Sequence, residues 1–171
     1  MSDFEFQNGD LVFIRGKTWR SFFVTFAEVK ANDFSHVGII RIADGTPYVI
    51  HAAPERETVK IESIDIFLSP ANADHVGLYR LANRPHLAER AAGEAWRYFK
   101  EKVPFDHQFD ISDEKKLYCT ELVWLAYKHV GVNLDEMDGN FLRDVPIYGK
   151  VLLPTRLSES RLLTRICGFR Y

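Results

Sequence analysis

The chain has 171 residues, of which 46% are hydrophobic and 27% are charged, as in an ordinary globular protein. Its 22 basic and 24 acidic side chains give a formal net charge of −2, which argues against binding nucleic acid through a basic surface. The apolar runs are far shorter than the roughly 18 residues that span a bilayer, and the start of the sequence lacks the pattern of a signal peptide. We therefore expect a cytoplasmic protein with one domain, residues 1–171.

The first half of the chain has the pattern of short strands separated by turns. We predict strands at Leu11–Ile14, Val37–Ile42, Tyr48–Ala52, Thr58–Ile61 and His75–Leu81, with a short helix at Ile64–Leu68. The Asp-Gly pair between the second and third strands predicts a hairpin.

Apolar residues spaced by three and four positions predict a helix at Thr18–Lys30. Its aromatic residues are Trp19, Phe22, Phe23 and Phe26. Such a face more often packs in a core, and the alternative is one wall of a pocket for an acyl chain or lipid.

The second half of the chain favours helices. Leu87–Lys102 and Cys119–Val130 have helical periodicity, and Gly131 is placed to end the second helix in a left-handed conformation. The polar stretch Val103–Leu117 between them predicts a loop. These elements indicate an α+β fold, a small antiparallel sheet with helices mostly on one side.

Two cysteines are too few for a disulfide framework, and we expect both to be thiols. Cys119 lies where a polar loop ends and a helix begins. Unpaired backbone N–H groups at that end stabilise a thiolate and an oxyanion, so the position predicts a lowered thiol pKa and a nucleophile. The alternative is a small buried apolar side chain, and Cys167, in an apolar segment, fits that alternative better.

A thiol nucleophile needs a base, most often a histidine held by a third polar group. His36 precedes the strand Val37–Ile42, and His51 lies near the end of its predicted hairpin partner. The hairpin would bring the two rings close together, so that one histidine orients the other. His75 is a rival base, because Asp74-His75-Val76-Gly77 resembles Ser35-His36-Val37-Gly38.

Three blocks of the sequence resemble the YiiX-like branch of the NlpC-type papain-like cysteine peptidases, whose fold is circularly permuted relative to papain. The blocks are Asn8-Gly9-Asp10-Leu11-Val12-Phe13, Ser35-His36-Val37-Gly38-Ile39-Ile40 and Tyr118-Cys119-Thr120-Glu121-Leu122-Val123. The order of histidine before cysteine is also that of the permuted family. The resemblance implies a permuted papain-like α+β fold and a thiol hydrolase.

By this resemblance Cys119 is the nucleophile and His36 the general base. His51 stands where many relatives have a glutamate, and we expect it to be the orienting group. The expected reaction is cleavage of a peptide or amino-acid-type amide through an acyl-enzyme, without a cofactor. The expected partner is a peptide, small-molecule or lipid substrate, and not a nucleic acid. Two alternatives stay open: a lipid acyltransferase or hydrolase with the same dyad, and a non-catalytic binding module that has kept the fold.

Other polar residues near Cys119 have weaker patterns. Tyr118 precedes the nucleophile and is a candidate for the oxyanion site or a substrate pocket, with aromatic packing as the alternative. Glu121 is placed to cap the helix start. Asp106, Asp110 and Asp113 lack the pattern of an EF-hand, so we expect Asx turns.

Overall fold

The computed structural model describes residues 4–17, 34–135, 142–145 and 149–171. The helix predicted at Thr18–Lys30 lies outside these residues. Six strands of the described part form one antiparallel sheet in the order β4-β3-β2-β1-β5-β8, and two more form a separate pair. The strands are β1 (Leu11–Gly16), β2 (His36–Ala43), β3 (Thr46–Ala52), β4 (Val59–Ser63), β5 (Ala73–Leu81), β6 (Leu142–Val145), β7 (Gly149–Leu152) and β8 (Leu163–Arg170).

Four α-helices accompany the strands in the described residues. They are α1 (Ile64–Phe67), α2 (Pro85–Lys100), α3 (Cys119–His129) and α4 (Pro154–Ser158). None of the helices in the described ranges is long and apolar enough to cross a membrane. The expectation of an α+β fold is confirmed.

The alternation of side chains along each strand gives the sheet two apolar faces. Phe13, Val37 and Ile39 pack with buried residues of α2 and α3 in the larger core. Val12, Ile40 and Val49 pack on the opposite face, where Phe67 of α1 covers them. Because α2 and α3 share one face, the start of α3 lies against the sheet.

The turn between β2 and β3 is shorter than the gap between the predicted strands Val37–Ile42 and Tyr48–Ala52. Ala43 pairs with Thr46, so the turn consists of Asp44 and Gly45 alone. Both have positive φ, 50° and 76°, the conformation in which a two-residue hairpin turn matches the twist of its strands. This turn sets the register of β2 against β3, and with it the relative positions of His36 and His51.

Candidate active site

Cys119 is the first residue of α3, at the end of the polar segment 103–117. Tyr118 before it is extended, with φ −100° and ψ 172°, so the chain turns into the helix at the cysteine. The side chain of Cys119 is 2% exposed. The backbone N–H of Val37 is hydrogen-bonded to its sulfur, and Thr120 Oγ1 lies 3.6 Å from the same atom. The thiol therefore lies at the start of β2, against the residue that follows the predicted base His36.

The thiol pKa of Cys119 differs from the sequence expectation. Burial raises it to about 11, although hydrogen bonds from the backbone N–H groups of Val37, Thr120 and Cys119 itself act in the opposite direction. A buried thiolate loses the solvation of water, and here this loss exceeds what the helix start contributes. The prediction of a lowered pKa was therefore wrong for this arrangement, in which the resting group is a neutral thiol.

His36 and His51 form a buried pair. The Nε2 atom of His36 lies 2.7 Å from Nδ1 of His51, and both side chains are 1% exposed. Ile39 pairs with Ile50, which places Gly38 opposite His51 and brings His36 diagonally across from it. A Cβ on Gly38 would lie 2.3 Å from Val49 Cγ1 and 3.2 Å from His51 Cβ. The glycine therefore provides the space in which the His51 side chain lies.

The surroundings of both rings keep them neutral. Burial lowers the pKa of His36 well below its ordinary value, and the charges of His51 and Lys60 lower it further. Burial also lowers the pKa of His51. The ring of Phe67 packs against both, with centroids 5.7 Å from His36 and 4.9 Å from His51. This apolar cover gives the pair a fixed orientation and excludes water.

Glu62 is a site residue that the sequence analysis missed. Its Oε2 lies 3.7 Å from Nε2 of His51, and Lys60 Nζ lies 3.4 Å from its Oε1. The interaction with His51 lowers the pKa of Glu62, and Glu62 in turn opposes the effect of burial on the pKa of His51. The available signal was the period of two in Val59–Ser63. His51 pairs with Lys60, so Glu62, two residues on, shares the face of β4 that His51 occupies on β3.

Tyr118 is fully buried, and its hydroxyl accepts a 3.0 Å hydrogen bond from the backbone N–H of Leu152. Its ring makes an edge contact with Phe109. This hydroxyl is therefore engaged with β7, as the packing alternative requires. Glu121 is also buried, and its pKa rises to about 9 because of burial, although the N–H of Tyr118 acts in the opposite direction.

The acidic loop consists of Asx turns. Side chains of Asp106, Asp110 and Asp113 each accept a hydrogen bond from a backbone N–H two residues ahead. In the ranges that the structure describes, no three His, Cys, Asp or Glu side chains are grouped so that they hold a metal ion.

The rival base His75 lies on β5, opposite Arg15 of β1 and Arg170 of β8, and its ring stacks on Phe34 at 4.9 Å. Residues paired across neighbouring strands point to the same face of the sheet. His75 therefore shares a face with Arg15, whereas His36 shares the opposite face with Ile14. The structure thus joins His36, and not His75, to His51. Cys167 is a partly buried thiol on β8.

Comparison with known proteins identifies the family and its fold. The family model described as permuted papain-like amidase enzyme, YaeF/YiiX, matches residues 5–144 of this chain. This range contains Cys119, His36, His51 and Glu62.

Relatives of known sequence and structure agree with this match. The uncharacterized protein YiiX of Escherichia coli is 26% identical over 133 residues, which are 76% of this chain and 62% of that protein. The matched region thus spans less than two thirds of that relative. A crystal structure described as the metalloprotein YiiX from Escherichia coli has a similar fold, with a TM-score of 0.76 and 22% identity. The similarity covers 98% of this chain and 100% of the solved one.

Proposed function

The chain belongs to the permuted papain-like amidases of the YaeF/YiiX family, and from this premise we propose that it is a thiol amidase that cleaves a peptide or amino-acid-type amide. Cys119 is its nucleophile, His36 its general base, and His51 and Glu62 are positioning residues. The observation that carries the proposal is the 2.7 Å pair of His36 Nε2 and His51 Nδ1, buried at the start of β2 where the sulfur of Cys119 meets the N–H of Val37.

The pairing of ring atoms determines which nitrogen of His36 acts as the base. A carboxylate such as Glu62 accepts hydrogen bonds, so the His51 tautomer with its proton on Nε2, 3.7 Å from Glu62 Oε2, is favoured. Nδ1 of His51 then accepts a hydrogen bond from the Nε2–H group of His36. This polarity assigns the lone pair to Nδ1 of His36, the nitrogen that takes the proton of the Cys119 thiol. Glu62 thereby supplies, through His51, the carboxylate that many relatives have in place of His51.

The reaction proceeds in two displacements. As the sulfur of Cys119 bonds to the carbonyl carbon, its proton passes to Nδ1 of His36, and the backbone N–H of Cys119 stabilises the oxyanion. The C–N bond then breaks, and His36 returns the proton to the leaving amine. Water attacks the thioester with His36 again as base, which releases the carboxylic acid and regenerates the thiol.

The pKa directions explain when the proton moves. A thiol with a pKa of about 11 beside an imidazole whose pKa is well below 6.5 remains a neutral pair at neutral pH. Proton transfer therefore accompanies the attack on the carbonyl. The His36 imidazolium that forms is stabilised by His51, which in turn has the carboxylate of Glu62 beside it.

The lipid alternative depended on the aromatic residues of Thr18–Lys30, which lie outside the described part of the chain. The amide proposal is therefore the one argued from the site. No metal is included in it, because the metalloprotein description belongs to the solved neighbour and no group of ligands converges in the described residues.

Trapping of the acyl-enzyme tests the proposal. The protein is incubated with a panel of N-acyl amino acid p-nitroanilides and quenched in acid, and intact mass spectrometry then locates the added acyl group. We expect one acyl adduct on Cys119, none in Cys119→Ala or His36→Ala, and an unchanged adduct in the matched Cys167→Ala control. Amide turnover that survives Cys119→Ala, or an adduct on another residue, would refute the assignment.

A further inference from the structure

A cavity of about 450 Å³ lies between α4 and the β5–β8 edge of the sheet. Its described walls include Phe34, His75, Tyr79, Thr155, Arg165 and Arg170. Phe34 and Tyr79 pack in the same core as Cys119, so the cavity opens on the face of the sheet that carries α3. The proposed mechanism makes no use of this cavity.

The cavity is connected to the catalytic strand through Phe34. The backbone N–H of Phe34 donates a 2.7 Å hydrogen bond to Thr155 Oγ1, and the same hydroxyl donates to the Phe34 carbonyl at 3.2 Å. These bonds hold the chain that enters β2 against α4. Phe34 lies two residues before His36, so the two Cα atoms are at most about 7.6 Å apart. Phe34, Val37 and Cys119 belong to one core, so the cavity lies on the side of the sheet where the sulfur of Cys119 meets the N–H of Val37.

The charge at the cavity is positive. Arg170, Arg165 and Arg15 all act on the pKa of His75 in the lowering direction, after burial, and Asp74 alone opposes them. Arg15 is ion-paired with Asp74, and Glu159, the acidic residue of the wall, lies 2.9 Å from Arg156. Among the described residues, Arg165 has no carboxylate partner. Its cationic group is thus available to a ligand.

The guanidinium of Arg165 occupies space that any side chain at position 168 would fill. A Cβ on Gly168 would lie 2.0 Å from an Nη atom of Arg165. Glycine at this position therefore leaves room for the planar guanidinium of Arg165, and both residues line the cavity. The facing wall is aromatic, formed by the stacked rings of Phe34 and His75 and by the ring of Tyr79.

We propose that this cavity binds the carboxylate end of the substrate, so that the enzyme prefers amides that carry a free carboxylate on an apolar or aromatic body. Arg165 binds the carboxylate, and Phe34 and Tyr79 contact the apolar part. This inference rests on the proposed amidase function and names the class of its substrate, an N-acyl amino acid. A guanidinium is suited to this role because its N–H groups match the geometry of a carboxylate.

Binding is measured without turnover, in the Cys119→Ala protein, by titration calorimetry. The two probes are N-benzoylglycine and N-benzoylglycinamide, which differ in a carboxylate against a carboxamide. We expect the carboxylate to bind about fivefold more tightly at low salt, since the site is partly exposed, and the preference to shrink as salt is added. In the same Cys119→Ala background, Arg165→Gln should abolish the preference for the carboxylate. Arg90→Gln, at an exposed position on α2, should leave it intact.

Equal binding of the two probes, or a carboxylate preference that persists in Arg165→Gln, would overturn the proposal. The absence of binding by both probes would overturn it as well. Because the titration involves no chemistry, it is independent of the amidase assay. A protein that binds N-benzoylglycine through Arg165 but forms no acyl-enzyme would contradict the proposed function and leave the carboxylate site standing.

Discussion

The Nε2 atom of His36 and the Nδ1 atom of His51 lie 2.7 Å apart on neighbouring strands, in a site closed by Phe67. The contact requires a small residue at position 38, because His51 lies over Gly38 on the adjacent strand. The carboxylate of Glu62 on β4 determines the direction of this hydrogen bond, in which His36 donates and His51 accepts. The proposed catalytic unit therefore extends over three adjacent strands and the start of one helix.

Replacement of Glu62 tests this direction. We expect Glu62→Gln to lower kcat/KM for an amide substrate about three- to tenfold, because the variant no longer stabilises the His36 imidazolium through His51. Glu62 opposes the lowering of the His51 pKa, so the pKa of His51, followed by NMR, should fall in the variant. Glu55→Gln is the matched control, since Glu55 also pairs with Lys60 but is half-exposed. Equal losses in the two variants would indicate a general effect of charge on β4.

The pH dependence of alkylation tests the neutral resting pair. Burial raises the pKa of Cys119 to about 11, so the thiolate is lost as pH falls below that value. The rate of reaction with iodoacetamide should then rise about tenfold per pH unit from pH 7 to pH 10. Site-resolved mass spectrometry separates Cys119 from Cys167. A plateau in the Cys119 rate between pH 6 and 8 would instead reveal a preformed thiolate–imidazolium pair.

The raised pKa of Glu121 predicts that the stability of the fold depends on pH. Burial raises this pKa in the folded protein to about 9, from an ordinary value of 4.5, so the folded state retains a proton that the unfolded chain releases. The contribution of this carboxyl is fully present below pH 4.5 and is lost progressively as pH rises toward 9. Glu121→Gln keeps the size and the oxygen acceptor, and should raise the free energy of unfolding by about 2 kcal/mol at pH 7.

Denaturant unfolding at pH 4 and pH 7 measures the effect of Glu121→Gln. The gain should vanish at pH 4, and the exposed Glu89→Gln on α2 should show no gain at either pH. A gain of equal size at both pH values would show that titration is not its cause.

Substitution of Gly38 tests the packing around the side chain of His51. A Cβ at this position would lie 2.3 Å from Val49 Cγ1 and 3.1 Å from the Ile50 carbonyl oxygen. We expect Gly38→Ala to destabilise the fold by about 1–3 kcal/mol and to lower activity, because the side chain of Val49 or His51 has to move. Gly93→Ala on α2, where a Cβ meets no atom within 4 Å, should be neutral or stabilising. Thermal unfolding and kcat/KM of both variants provide the comparison.

Local patterns were sufficient for much of the fold. The Asp-Gly pair predicted the hairpin, and the structure places Asp44 and Gly45 in its two-residue turn. The loop-to-helix transition predicted the start of α3 at Cys119, and Gly131 adopts the expected positive φ of 85°. These features depend only on residues that are close in the sequence, so they can be predicted from the sequence. The pair β6 and β7 was not predicted, because four-residue strands are too short to show a period.

The sequence by itself determined that Cys119 begins a helix, that His36 and His51 belong to paired strands, and that the motifs are those of a permuted papain-like amidase. Only the tertiary structure decided the pKa of the thiol, the atoms through which the two rings meet, and the inclusion of Glu62. The physical reason is that burial and register are properties of the packed sheet. The helix start favours a thiolate locally, whereas the core that surrounds Cys119 costs more in lost solvation. Glu62 reaches His51 because β4 pairs with β3 in one particular register, which no local pattern specifies.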